Sequence, residues 1–328
     1  MNTIRRSAAA LAVMLAVAGP AAAQDKFPSR PVKILVPYGP GGATDILARV
    51  MAEGMRQSLG QSFVVENKPG AFGIVALEEL ARSRADGYTL FVGNVSTNAI
   101  TPMLFSKKMS FNYADTIIPI TRLADLPAFL LATTNDFPPK SVAEFVAYAK
   151  QRPGQLKYAT VGVASFPHYD MIMFSKKAGL DMIDIPLKGG ATEAVTNMAA
   201  GEEQVAFLNV ATTAPLIKAG HVRPLAAVAD NRLADYPDVP TMAEAGYPGI
   251  GTQQWQAVFA RAGTSKPILD ALFKAATAAV KSPQADKIFA PQYIRALPSA
   301  SLDEAKHWLQ EETEAWRKIV AVADLKLD

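Results

Sequence analysis

The sequence contains no cysteine, which excludes disulfides, a cysteine nucleophile and thiolate metal ligands. Histidine is scarce too, with only His168, His221 and His307, so a histidine-rich metal centre cannot be assembled. An excess of charge is also missing. The formal net charge is +3, and two of the positive charges, Arg5 and Arg6, lie near the N-terminus. The rest of the chain is therefore near neutral, which gives no general support for nucleic-acid binding.

The chain also lacks an apolar run of the ~20 residues that a membrane-spanning helix needs. A shorter run, Ala8 to Val17, follows two arginines and precedes three alanines. This order is typical of an export signal over residues 1–23, with cleavage between Ala23 and Gln24. A retained anchor helix is the alternative. Cleavage leaves 305 residues, which suggests two domains at ~150 residues each.

What the sequence does contain is an alternation of short apolar segments with segments of helical periodicity. The first apolar segment, 32–36, is followed by a glycine loop and a helical pattern that stops at Gly60. Strands at 63–65 and 89–92 with a helix near 74–84 between them continue the alternation. This pattern predicts an α/β fold with parallel strands and helices on the sheet faces. Later strands are expected at 129–133, 158–161, 183–187, 204–209, 224–229 and 255–260, and later helices at 141–151, 167–178, 190–200, 266–281, 283–289 and 301–320.

A glycine-rich loop from Pro37 to Asp45 joins the first strand to the first helix. Glycine lets a ligand approach the backbone closely, and a helix start offers free N–H groups at the positive end of its dipole. The loop therefore predicts a carboxylate or phosphate site. A plain strand-to-helix turn with Thr44 as N-cap is the alternative. Because Asp45 is itself an anion, we expect it to hold loop amides or a water rather than the ligand.

Two more loops follow predicted strands, where ligands bind in open α/β sheets. One is 160–168, in which Ser165 suits the N-cap and Pro167 the first helical turn. Simple capping is the alternative there, and His168 is more often a packing residue than a catalytic base at such a place. The other loop is the polar segment 93–98.

The sequence Gly-Gly-Ala-Thr-Asp at 41–45 has an echo in Gly-Gly-Ala-Thr-Glu at 189–193. Both segments open predicted helices. The echo indicates two similar helix starts, one for each domain.

A nucleotide-dependent α/β enzyme that uses the Gly39–Gly42 loop is the alternative function, because a strand, a glycine loop, a helix and Glu66 imitate a dinucleotide-binding unit. The third glycine of that fingerprint is replaced by Thr44, and no Walker lysine follows the loop. The chain also lacks a G-x-S-x-G elbow and an H-E-x-x-H motif. We therefore expect no catalytic residues, no cofactor and no metal ion.

Short motifs occur in a fixed order along the chain after residue 27. They are Pro-x-Arg-Pro at 28–31, Val-Pro-Tyr-x-Pro-Gly-Gly at 36–42, Val-Glu-Asn-Lys-Pro-Gly-Ala at 65–71, Asp-Gly-Tyr-Thr-Leu at 86–90, Lys-Gly-Gly at 188–190, Pro-Asp-Val-Pro-Thr at 237–241 and Trp255. In this order they resemble the Bug-type, or TctC-like, extracytoplasmic solute receptors of tripartite tricarboxylate transporters.

The resemblance implies a two-lobed periplasmic binding protein of the type II-like, Venus-flytrap kind, with a mixed sheet flanked by helices in each lobe. Lobe 1 is expected to combine 24–126 with 251–328, and lobe 2 to span 127–250. The resemblance also implies a monomer in the periplasm. This receptor is expected to bind a di- or tricarboxylate, or an aromatic carboxylate, by lobe closure. It is then expected to deliver the ligand to integral membrane subunits of the transporter.

The family binds carboxyl groups through backbone amides, hydroxyls and bridging waters, on one loop from each lobe. The site residues that the resemblance implies are Tyr38, Gly41, Gly42, Ala43, Asp45, Ser96, Ser165 and His168. Three positions depart from the family pattern: Ala164 replaces a glycine, Leu187 an aromatic residue and Asn209 an aspartate. If Asn209 lies at the site, we expect ligands with a cationic amino group to be disfavoured.

Overall fold

The computed structural model describes residues 27–126, 129–252, 254–323 and 325, with the backbone alone for 129–134. The predicted export signal at 1–23 lies outside the described residues. Within the described part of the chain, no helix is both long and apolar enough to cross a bilayer.

The described residues form strands and helices in alternation, joined by short loops. The strands are β1 (Val32–Val36), β2 (Phe63–Asn67), β3 (Thr89–Asn94), β4 (Ile117–Leu126), β5 (Phe129–Thr134), β6 (Lys157–Thr160), β7 (Ile183–Pro186), β8 (Val205–Asn209), β9 (Val222–Val228), β10 (Gln254–Arg261) and β11 (Arg295–Ala296). The α-helices are α1 (Ala43–Leu59), α2 (Ile74–Arg82), α3 (Thr101–Leu104), α4 (Tyr113–Thr116), α5 (Val142–Lys150), α6 (Phe166–Ala178), α7 (Ala191–Ala200), α8 (Val210–Lys218), α9 (Lys266–Val280), α10 (Pro283–Phe289) and α11 (Leu302–Ala323).

The first sheet has six strands in the order β11-β4-β10-β3-β1-β2. The strand β1 pairs in parallel with β2 and β3, and β10 pairs antiparallel with β3 and β4, so the sheet is mixed. Helices cover both faces: Met51 of α1 and Leu272 of α9 belong to the core on one face, and Leu77 of α2 and Trp308 of α11 to the core on the other. This two-sided cover explains why β1 is an almost continuous apolar run.

The second sheet has five strands in the order β7-β6-β8-β5-β9. Here β6 pairs in parallel with β7 and β8, and β5 pairs antiparallel with β8 and β9. The α/β class predicted from the sequence is confirmed, because the structure has two mixed sheets, each flanked by helices.

The chain passes from the first sheet to the second between Leu126 and Phe129, and returns between Val228 and Gln254. The lobe boundaries expected near 126 and 250 fall in these two stretches and stay a prediction. The last helix, α11, then reaches the second half of the molecule.

Two contacts join α11 to α6 of the second half. The Lys176 Nζ atom donates a hydrogen bond to the Ala323 carbonyl oxygen over 2.7 Å, and the rings of Tyr169 and Trp316 meet edge to face with centroids 6.0 Å apart. The C-terminal helix therefore packs on both parts of the fold.

Candidate ligand-binding cleft

Four helices begin where strands of the two sheets end. The strand β1 leads into α1 in the first half, and β6, β7 and β8 lead into α6, α7 and α8 in the second half. Residues from all four helix starts line one cavity of about 40 Å³, which we call the small cavity. The first half contributes Gly42, Ala43 and Thr44, and the second half contributes Pro167, Ala191 and Asn209.

A second cavity of about 640 Å³, the large cavity, adjoins the first and shares Tyr38, Val161 and Gly189 with it. The loop after β1 and the loop after β6 both line it. Ser96 and Ser165 are also among its lining residues.

The helices α1 and α7 both begin at a glycine, although Gly42 is extended and Gly190 has a positive φ of 75°. Their N-caps are Gly42 and Gly190, and at neither helix does a described side chain accept a hydrogen bond from the first N–H groups. These N–H groups are therefore left for another acceptor. Since both starts line the small cavity, the positive ends of two helix dipoles act on the same space.

An acidic side chain holds the loop in front of each of these helices. An oxygen of Asp45 accepts a hydrogen bond from the Gly41 N–H over 3.0 Å, and one of Glu193 accepts from the Gly189 N–H over 2.5 Å. The two similar sequences, 41–45 and 189–193, therefore share a hydrogen bond from a glycine N–H to the acidic side chain four residues later. Thr44 is not the N-cap of α1, in contrast to the alternative interpretation of this loop.

Asp45 is buried and lies outside the lining of both cavities. Its carboxylate also accepts hydrogen bonds from Arg49 over 2.9 Å and from Asn67 over 2.9 Å. Burial raises its pKa, but the hydrogen bonds from Arg49, the Gly41 N–H and Asn67 outweigh this and hold the pKa below its usual range. The aspartate therefore stays ionised and holds a loop amide, as its charge led us to expect.

A hydrogen-bond network fixes the polar wall of the first half. The Tyr38 hydroxyl donates to the Asn94 Oδ1 atom over 3.0 Å, and the Ser96 N–H donates to the same oxygen over 3.0 Å. The Asn94 amide in turn reaches the Thr44 hydroxyl at 3.5 Å. Burial raises the pKa of Tyr38 to about 12, so the hydroxyl remains a protonated donor. Tyr38, which lines both cavities, is thereby held in one orientation.

The loop after β6 is held by His168. Its Nδ1 atom accepts a hydrogen bond from the Ala164 N–H over 3.0 Å, and its Nε2 atom lies 3.4 Å from an Asp184 oxygen. Burial lowers the pKa of His168 to about 4, so the ring is neutral, and the accepting Nδ1 leaves the proton on Nε2. His168 lines neither cavity, and it acts on the loop rather than on the cleft.

Ser165 occupies the N-cap position of α6, as predicted, but makes no capping hydrogen bond. Its buried hydroxyl has no hydrogen-bond partner among the residues that the structure describes. Nearby, the Ser96 hydroxyl accepts a hydrogen bond from the Phe166 N–H over 3.1 Å. Ser96 therefore connects the two halves, and Ser165 lines the large cavity with its hydroxyl buried.

The small cavity also contains polar side chains that are not among the eight predicted site residues, although Asn94 belongs to the candidate loop 93–98. Asn94 and Gln254 come from strands of the first sheet, and Thr192 comes from the start of α7. The Thr192 hydroxyl donates to the Pro40 carbonyl over 3.3 Å, which joins the two glycine loops. The sequence echo could have identified Thr192, because it is the counterpart of Thr44.

Asn209 lies at the small cavity and caps α8. Its Oδ1 atom accepts hydrogen bonds from the Thr212 N–H over 3.0 Å and from the Thr212 hydroxyl over 3.1 Å. Its Nδ2 atom lies 3.5 Å from the Gln254 Oε1 atom of the other half. The oxygen of Asn209 is thus occupied, and the side chain has donors left for the cleft.

The eight residues predicted for the site fall into two groups. Tyr38, Gly42, Ala43, Ser96 and Ser165 line the cavities. The others, which support the loops instead, are Gly41, Asp45 and His168. The described residues contain no group of three or more His, Asp or Glu side chains placed to hold a metal ion.

Comparison with known sequences identifies one receptor family, both by a family model and by a single relative. Residues 47–325 match the model of the TctC family, described as the tripartite tricarboxylate transporter family receptor. The protein BugT of Bordetella pertussis is 32% identical over 324 residues, which cover 98% of each chain.

Solved structures agree with this match. A protein of R. palustris with adipate is 30% identical, has a TM-score of 0.85, and is matched over 90% of this chain and 98% of its own. The periplasmic binding protein BugD is 28% identical, with a TM-score of 0.83 over 92% and 99% of the two chains. MatC from Rhodopseudomonas palustris with bound malate is 28% identical, with a TM-score of 0.82 over 90% and 100%.

Proposed function

The chain belongs to the TctC family of tripartite tricarboxylate transporter receptors, and from this premise we propose that it captures a small carboxylate in its cleft. Members of the family are periplasmic solute-binding receptors and not enzymes, so the Gly39–Gly42 loop has no role in nucleotide chemistry. The relatives solved with adipate and with malate support a carboxylate as the ligand.

One observation supports this proposal most directly. The uncapped starts of α1 and α7 converge on the small cavity, at Gly42 and Ala191. A carboxylate there would accept hydrogen bonds from backbone N–H groups of both halves and neutralise two helix dipoles. The Asn209 amide adds a donor at the rim.

Lobe closure and delivery belong to the same proposal. A ligand that touches both halves binds the closed arrangement better than an open one, and therefore shifts the population towards closure. The closed receptor would then deliver its ligand to the membrane subunits of a tripartite transporter. The match to the receptor family supports these partners and a periplasmic location.

The environment of Asn209 supports an amine-free ligand. An aspartate at this place would offer a carboxylate to a ligand ammonium group. The neutral amide has its oxygen engaged by Thr212 and offers only N–H donors to the cleft. We therefore expect malate or adipate to bind more tightly than aspartate or glutamate, and calorimetric titration in which the amino acids bind more tightly would contradict this.

Substitution of Gly42 tests the role of the cleft. Its backbone has φ of −80° and ψ of 167°, which any residue adopts, and an added Cβ would meet no atom within 4 Å. Gly42→Val should therefore fold normally, but its side chain would occupy the space of the carboxylate. We expect at least a tenfold loss of adipate or malate affinity in calorimetry, about 1.4 kcal/mol or more.

The matched control is Ser265→Val, which introduces the same side chain at the start of α9. Ser265 is exposed, lies outside both cavities and makes no capping hydrogen bond. It should retain full affinity. Binding by Gly42→Val at the level of the control would refute the site, and failure of the unmodified protein to bind any carboxylate would refute the function.

A further inference from the structure

The two cavities differ in size and in chemistry, and the difference bears on which carboxylate is bound. This inference rests on the proposed function. We infer that the ligand places one carboxylate in the small cavity and an apolar body in the large cavity, with a second anionic group towards Lys188. The preferred ligand is then a long-chain or aromatic dicarboxylate rather than a compact four-carbon acid.

The small cavity has room for one carboxylate and little more. Its volume is about 40 Å³, against about 640 Å³ for the large cavity, so the small cavity takes only a short part of a ligand, such as one carboxylate. The remainder of any ligand must extend past Tyr38 and Val161 into the large cavity.

The large cavity is built mainly from apolar side chains. Its volume of about 640 Å³ is typical of a site that encloses a molecule larger than malate. Apolar lining comes from both halves: Pro69 and Phe72 from the first, and Val163, Pro186 and Leu187 from the second. Methylene groups or an aromatic ring would displace water from these walls, which is favourable in proportion to the area buried.

Two polar features of the large cavity bear on which chemical group the ligand carries at its far end. Lys188 is exposed, lines the large cavity and forms no ion pair with any described side chain. The buried Ser165 hydroxyl lies in the same lining without a hydrogen-bond partner in the described structure. A second carboxylate or another anionic group fits the lysine, whereas a purely apolar end would leave it without a counterion.

A titration series tests the preference for length. Succinate, adipate and suberate differ by two methylenes at each step, and terephthalate adds an aromatic body. Each methylene buried against the apolar wall should tighten binding ~4-fold, so we expect adipate to bind at least tenfold more tightly than succinate. Equal affinity for succinate and its longer homologues would overturn the inference and leave the receptor function intact. Absence of binding to these acids and to every other carboxylate, malate included, would refute the function itself.

Variants locate the effect. Val163→Thr keeps the side-chain shape but adds a hydroxyl, and Leu187→Asn makes the same wall polar. Both should reduce the preference for adipate over succinate and leave succinate binding nearly unchanged. An unchanged length preference in two folded variants would contradict an apolar contact at this wall.

Lys188→Gln tests the distal group. We expect about a two- to fivefold loss of adipate affinity, the range of an exposed ion pair, and no loss for hexanoate, which lacks the second carboxylate. Lys274→Gln, at an exposed lysine of α9 outside both cavities, is the control and should change neither. Equal losses for adipate and hexanoate in Lys188→Gln would overturn the assignment of the distal group.

Discussion

Single residues outside the cavities control the loops that line them. His168 is the clearest case, because it contacts the Ala164 N–H and not the cleft. Ala164 has φ of 58°, a left-handed conformation that favours glycine and that costs alanine roughly 1 kcal/mol. The histidine therefore stabilises a backbone conformation that the sequence disfavours at this position.

Replacement of His168 should weaken ligand binding without direct loss of a contact. We expect His168→Ala to lower carboxylate affinity about tenfold, the scale of one hydrogen bond that no longer orders the loop. His168→Asn retains an acceptor near the position of Nδ1 and should recover most of the affinity. Calorimetry in which the alanine variant binds as the unmodified protein does would show that the loop needs no such support.

Asp170 makes stability depend on pH. The Thr252 N–H and hydroxyl both donate to its buried carboxylate, at 3.1 and 2.5 Å, on the stretch where the chain returns to the first sheet. Burial raises the pKa of Asp170 from 3.8 to about 7. Between these values the folded protein binds more protons than the unfolded chain, so this group lowers the free energy of unfolding as pH rises.

The variant Asp170→Asn removes this contribution. Relative to the unmodified protein, its free energy of unfolding should rise with pH between about 4 and 7, by about 1 kcal/mol or more. The difference between the proteins is the informative quantity, because the lowered pKa of His168 acts in the opposite direction between about 4 and 6.5. Urea unfolding at several pH values measures it, and a constant difference would contradict the argument.

Close packing between two helices makes a testable contribution at the scale of elements. Gly54 lies inside α1, where a Cβ would come within 2.5 Å of the Ala279 Cβ and 2.8 Å of its Cα in α9. Glycine is unfavourable in a helix by ~1 kcal/mol relative to alanine, but here it permits the two helices to touch.

We expect Gly54→Ala to destabilise the protein by about 1–3 kcal/mol in spite of its better helix propensity, because the helices must move apart. The exchange Gly54→Ala with Ala279→Gly returns the lost space and should recover part of the stability. Urea denaturation of the two single variants and the double variant gives the coupling energy. Strict additivity would show that the two positions do not contact each other.

The sequence predicted elements well where local signals agreed and missed them where packing overrides those signals. The strand β4 was not predicted, because it contains Pro119, Arg122 and Asp125, which are residue types more typical of a loop. Its charges are placed by distant partners, such as the Arg295 side chain 3.3 Å from Asp125. The helix α8 was missed because Pro215 and several β-branched residues lie within it, so that tertiary contacts decide its conformation.

The candidate site could be predicted only in part for a similar reason. Glycine loops and helix starts are local patterns, and they identified Gly42 and Ser165 from the sequence. Asn94 belongs to the polar segment 93–98 that the sequence singled out, whereas Gln254 is a polar residue at the start of β10, outside every predicted loop. Gln254 reaches the cleft because β10 runs antiparallel to β3, which follows from the order of the sheet and not from local sequence.

At the scale of the whole molecule, hydrogen bonds between described residues join the two halves across the cleft, among them Ser96 to Phe166, Thr192 to Pro40, and Asn209 to Gln254. Thr192→Val keeps the side-chain shape and removes the hydrogen bond to the Pro40 carbonyl. The closed arrangement should be less populated, and the apparent ligand affinity should fall about two- to fivefold in proportion.

Small-angle X-ray scattering checks the cause of that loss. Both proteins should become more compact on addition of saturating ligand and should reach the same radius of gyration. A saturated Thr192→Val protein that stays more extended would show that the bond is needed for the closed shape itself. Identical affinity of the two proteins would show that this contact does not contribute to closure.

The paired glycine helix starts also bear on how such a receptor changes during evolution. In the proposed site the donors to the carboxylate are main-chain N–H groups, so most substitutions would leave them in place, and replacement of a few glycines would block access to them. The walls of the large cavity consist largely of side chains, which substitutions change directly. Descendants of one ancestral receptor can therefore change ligand specificity one substitution at a time and still bind a carboxylate.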